Sequence, residues 1–168
     1  GLRNELTKAI ASEDFERQKS LIKTAVLMLS KVAIGLFFIL SLVSEIFFYT
    51  TVLEPSLRIP LYVTNAFFCL SFVLGLSSTV AYSYQKSWMA SLASTATSFF
   101  QILTVVLLII LSVEPNLTVF SFLIGITSVL GNSVIIVRLY KYIKDRIPPG
   151  VVASYNRSYS SAIINIGI

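Results

Sequence analysis

Four apolar stretches, each about twenty residues long, and the few residues linking them occupy most of this chain. A run of roughly 20 apolar residues, coiled as a helix, covers the ~30 Å hydrocarbon layer of a bilayer. The spacing predicts spans at 32–51, 61–82, 87–113 and 119–140, with a segment 1–31 before them and a tail 141–168 after them. The expected fold class is therefore all-α: a polytopic membrane protein built as an antiparallel bundle of four transmembrane helices. Composition agrees, since 55% of residues are hydrophobic and 12% charged, with a mean hydropathy of +0.82. That is too little charge to clothe a soluble core of this size.

The punctuation of the spans is equally readable. Lys19, Lys23 and Lys31 lead into the first, and Phe47, Phe48 and Tyr49 mark its far end before Glu54-Pro55 stops the helix. Ser83-Tyr84-Gln85-Lys86 is a tight link, and Glu114-Pro115-Asn116-Leu117-Thr118 the next turn. The fourth span runs out into a basic segment that ends at Pro148-Pro149-Gly150. Links this short make consecutive spans antiparallel neighbours and leave no outer domain for a ligand. Lys31 and Arg138 sit at inner ends, where a long stem carries its charge to the headgroups.

Orientation follows from charge. Every basic residue except Arg58 lies in the N-terminal segment, the 83–86 link, the inner end of the fourth span or the tail. Basic flanks stay cytoplasmic, so both termini are expected on the cytosolic side, or in the matrix of a mitochondrion. Short outer links favour an endomembrane (endoplasmic reticulum or Golgi), with the mitochondrial inner membrane as the alternative. A net charge of +5 placed at span flanks reads as membrane topology, not nucleic-acid binding. Asn116-Leu117-Thr118 fits a glycosylation pattern but lies too close to the bilayer to serve as an acceptor.

Ahead of the spans, Leu2, Leu6, Ala9 and Ile10 share one helical face, which fits either a short interfacial helix or a frayed tail. Ser12 with Glu13 and Asp14 reads as the start of the next helix. A start at Gly1 is expected of a processed, trimmed or partial chain, and residues 1–24 do not read as a secretory signal.

Polar residues inside the spans are the candidate site, because lipid offers them no hydrogen bond. Glu45 lies ~9 Å inside the outer end of the first span, at 1.5 Å per residue. Asn65 sits at matching depth on the second, so the pair is expected to meet as a clamp. An ionised Glu45 facing water would instead belong to a transport path. On the third span Ser91, Ser94 and Ser98 recur at helical spacing up to Gln101, and on the fourth Ser121, Gly125, Ser128 and Asn132 do the same. Ser71, Gly75 and Thr79 form a third small-residue seam. Such seams bring helix backbones close. Depth matching sets Gln101 beside Ser128, and Asn132 beside Ser94 to Ser98.

Catalysis has little to work with here. The chain has no histidine, one cysteine (Cys69, within an apolar block) and one deep acid. No catalytic residue, metal site or cofactor is expected. What remains is a non-catalytic subunit that packs against and stabilises or regulates a larger integral membrane protein, or associates with its own copies. The alternative is an oligomeric channel or small-solute transporter using Glu45 and the polar seams.

Overall fold

The computed structural model describes residues 1–50, 54–110 and 116–164. The expected ends of the first and third spans, at 51 and 113, and the Glu114-Pro115 turn lie outside the described residues. Within them every regular element is a helix: α1 (Leu2–Ala11), α2 (Phe15–Thr50), a 3-10 turn (Pro55–Leu57), α3 (Arg58–Leu74), α4 (Leu76–Ser83), α5 (Ser87–Ile110), α6 (Leu117–Arg146) and α7 (Arg157–Ile164). Four segments are long and apolar enough to cross a membrane: Phe15–Thr50, Pro55–Ser83, Ser87–Ile110 and Leu117–Arg146. The protein is thus an all-helical, multi-pass membrane protein by the length and composition of its helices.

Local chemistry explains the helix ends. α1 and α4 both stop in the left-handed cap that satisfies two orphan carbonyls at once. Glu13 (φ 54°) and Gln85 (φ 56°) take the left-handed position. The following amides, of Asp14 and Lys86, then reach back to Ala9 O and Ala81 O at 3.0 and 2.8 Å. The residue that opens α2 is Asp14, whose Oδ1 accepts from Arg17 N at 3.0 Å. Ser12 belongs to the helix before it, bonding back to Lys8 O at 3.1 Å. Asn116, expected in a turn with Leu117 and Thr118, instead caps α6, which already includes those two; its Oδ1 accepts from Thr118 N and Val119 N at 2.9 and 3.3 Å.

The second span is not one continuous helix. Its ladder breaks at Gly75, where Ser78 N bonds Gly75 O at 3.1 Å and Ser77 Oγ takes Leu74 O at 2.7 Å. A residue without a side chain followed by a hydroxyl that bonds its own backbone is a usual cause of such a break.

Among the described residues packing is densest at one end. Leu6, Ala9, Leu21 and Ala25 are fully buried, together with Val80, Tyr84 and Leu139. The apolar face of α1, expected at the membrane surface or in a frayed tail, is therefore turned against α2 and α4. α2, at 1.5 Å per residue, is about 54 Å long, well beyond the hydrocarbon thickness. Its first third belongs to this end domain, which is why Gln18, Ser20 and Thr24 can be buried there with partners.

The chain after Gly150 lies along the same stretch of α2. Lys19 Nζ donates to Val151 O at 2.9 Å and Lys23 Nζ to Ala153 O at 3.1 Å. Ser154 N donates to Ser20 Oγ at 3.1 Å and Asn156 N to Thr24 Oγ1 at 3.4 Å. Two lysines expected simply to flank the first span thus hold the tail. α7 in turn packs against α1 and α2.

Along the spans α6 packs against both α3 and α5, and α2 against α3. In the most apolar windows of α2 and α5 only 6% of the residues are buried, and the others are half-buried or exposed.

Candidate functional site

Glu45 finds a different partner from the one depth alone predicts. Arg58 Nε donates to Glu45 Oε1 at 2.9 Å and Arg58 Nη2 to Oε2 at 2.5 Å, a two-pronged ion pair. Tyr62, one turn further along α3, also donates its hydroxyl to Glu45 Oε1. Asn65 instead donates to Ser44 Oγ at 3.4 Å, while Ser44 Oγ bonds Leu40 O at 2.8 Å. Glu45 and Asn65 do lie on neighbouring helices, but consecutive residues on a helix point 100° apart. That rotation gives Ser44 to Asn65 and leaves Glu45 to the long side chain reaching in from the start of α3. The signal was present: Arg58 is the one basic residue between Lys31 and Lys86.

Between α5 and α6, Gln101 Nε2 donates to Ser128 Oγ at 2.9 Å. Asn132 does not cross the interface; its Nδ2 bonds Ser128 O in its own helix at 2.9 Å. The close approaches are made by glycines instead. A β-carbon on Gly125 would stand 2.2 Å from Phe67 Cγ on α3, and one on Gly131 would stand 1.7 Å from Thr97 Oγ1 on α5. Gly125 therefore seats α3, not α5, and the Phe67 ring meets Phe122 edge-on at 5.5 Å. Ser121 and Ser128 are half-buried beside it.

The serine seam of α5 points outward. Ser91, Ser94 and Ser98 are exposed, whereas Ala90 and Ala93 are buried and Thr97 half-buried against α6. The inward face is thus displaced by about one residue, ~100° of rotation, from the hydroxyl seam. Alanine, as small as serine and without a polar group to satisfy, makes the contact within the chain. Ser71, Gly75 and Thr79 are half-buried around the break in the second span.

A polar relay at the densely packed end escaped the sequence reading. Tyr84 Oη donates to Gln18 Oε1 at 2.8 Å, and Gln18 Nε2 donates to Ala9 O at 3.0 Å. All three residues are buried, and their chemistry ties the 84–86 link to α1 and α2. Burial, followed by the nearby Tyr142, pushes the Tyr84 phenol up to about 12. At the rim, the Lys8 ammonium bonded to Glu5 at 3.0 Å, helped by Arg17 at 2.7 Å, holds that carboxyl below its ordinary range. Gln18 and Tyr84 left no signal in the sequence, because a glutamine on a helix and a tyrosine in a link are ordinary surface residues.

Among the described residues no group of histidine, cysteine or acidic side chains converges to hold a metal ion. Comparison with protein-family models, curated proteins and solved structures finds no match to this chain, so its own residues carry the functional argument.

Proposed function

We propose that this protein is a non-catalytic four-span subunit that docks against, and stabilises or regulates, a larger integral membrane protein. In this reading the spans form an antiparallel bundle with both termini on the cytosolic side of an endomembrane. The observation that carries it is the outward serine face of α5. Ser91, Ser94 and Ser98 are exposed, and among the described residues none forms a side-chain hydrogen bond. Small hydroxyl residues turned toward lipid gain nothing there, whereas against another helix they permit close approach and hydrogen bonding. The low burial of the spans supports the same conclusion, since much apolar surface remains for a partner.

A channel built on Glu45 has less support. Its carboxylate is engaged by Arg58 and Tyr62, which leaves no free acid at that depth among the described residues for a permeating ion.

The test places a photo-crosslinking residue at Ser94 and, as a lipid-facing reference, at Phe38, which is 67% exposed. The reading expects Ser94 to crosslink to one larger membrane protein in native membranes, and Phe38 to crosslink to lipid. Ser91→Leu with Ser94→Leu and Ser98→Leu should abolish co-purification of that protein in mild detergent. A chain that runs alone as a monomer, with crosslinks to lipid from both positions and an activity of its own, would rule the reading out.

A further inference from the structure

The densely packed end carries a second feature that docking of the spans does not explain. Lys86, in the link before α5, and Arg146, the last residue of α6, both turn onto one aromatic ring. Lys86 Nζ stands 5.1 Å from the centroid of Tyr142 and Arg146 Cζ stands 5.4 Å from it. The two cations border a single open cavity of about 330 Å³, which Thr7, Ser83 and Gln85 also line.

Like charges gathered over one ring repel, and a cation–π contact at an exposed site is weak. Among the described residues neither cation has an ion pair. Glu13 borders an adjoining cavity of about 200 Å³ with Arg146, yet makes no ion pair with it. A charge favourable to the end of the α6 dipole accounts for Arg146. It does not account for Lys86 converging on the same ring.

We infer that this cavity is a binding site for a phosphate group at the membrane surface, held by Lys86 and Arg146 with Tyr142 as the platform between them. Guanidinium and ammonium are the usual pair for a phosphate, the first by a fixed fork of donors and the second as a mobile point charge. The phosphate can arrive on a lipid headgroup or free in solution. The chemistry of capture is the same.

The experiment uses the full chain in nanodiscs. In one arm, phosphatidylcholine discs carry a phosphatidylinositol phosphate, and retained lipid is counted by native mass spectrometry. In the other arm, inorganic phosphate is titrated calorimetrically into discs of phosphatidylcholine alone. Lys86→Gln or Arg146→Gln should weaken binding about tenfold or more, since a hydrogen bond to a charged group is worth ~1.5–3 kcal/mol and 1.4 kcal/mol is one decade. Lys141→Gln with Lys144→Gln removes two charges outside the cavity and should cost less than about fivefold. Lys86→Arg keeps the charge and should keep binding, which separates loss of the site from loss of fold. Retention of the lipid alone assigns a headgroup site, and binding of inorganic phosphate assigns a soluble anion. Failure of both probes, or equal losses in the cavity and control variants, overturns the inference.

Discussion

Replacing Gly125 by alanine is the sharpest probe of how the spans meet. The added β-carbon would lie 2.2 Å from Phe67 Cγ and Cδ2 and 2.8 Å from Phe67 Cβ. Carbon atoms rest about 3.5–4.0 Å apart, so the ring, or the whole of α3, must retreat by ~1.3–1.8 Å. Phe67 cannot simply swing aside, because Phe122 stands edge-on to it at 5.5 Å. Overpacking of this kind costs about 1–3 kcal/mol. Alanine also gains ~1 kcal/mol of helix propensity over glycine, which would blur the result taken alone. Gly35→Ala removes that ambiguity, since nothing lies within 4 Å of a β-carbon there. The propensity gain is common to both variants and cancels in their difference. Gly125→Ala should therefore be less stable than Gly35→Ala by about 1–3 kcal/mol. Reversible unfolding in mixed micelles, followed by energy transfer between labels on α3 and α6, measures it. Equal stabilities within ~0.5 kcal/mol would refute close approach of these two helices at Gly125.

Other expectations concern the two ends of the molecule. Leu6→Ala should lower stability by about 2–5 kcal/mol in the same unfolding assay, because Leu6 is fully buried; an α1 lying free on the membrane would lose far less. Tyr84→Phe should cost about 1–3 kcal/mol by leaving Gln18 Oε1 without its donor. Tyr84 also makes stability fall at high pH. Its folded pKa of about 12 exceeds the unfolded value of 10.0, so the unfolded chain releases its proton first. The stability it contributes is full below pH 10 and is lost as pH rises toward about 12, a dependence that titration of Tyr84→Phe should lack. Glu45→Gln and Arg58→Gln should each weaken the α2–α3 contact, with the double variant less affected than the two losses added, as a double-mutant cycle by energy transfer between those helices would read.

What could be read from sequence, and what could not, divides along a physical line. The spans were visible because lipid imposes length and apolarity on any segment that crosses it. Residues that act through one-dimensional position were visible for the same reason: the tight link at 83–86 and the stop at Pro148-Pro149. Anything that depends on helix rotation was not. Ser91, Ser94 and Ser98 share a face, but only the fold decides that Ala90 and Ala93 on the adjoining face meet α6. Glu45 stands out by its depth, yet its partner depends on a side chain reaching across from Arg58. α1 posed a different difficulty, because an amphipathic helix satisfies its apolar face equally well against headgroups or against protein. The break at Gly75 did have a local signal, a glycine followed by Ser77 and Ser78.

Topology is the claim on which the rest depends, and substituted-cysteine labelling tests it most directly. The native Cys69 is 6% exposed and contributes little background. Single cysteines at Ser12, Gln85, Gly150, Ser56 and Asn116 are reacted with a membrane-impermeant maleimide on sealed vesicles of known orientation. The account predicts that positions 12, 85 and 150 label from the cytosolic side alone, and positions 56 and 116 only from the other. Labelling of all five from one side would contradict it.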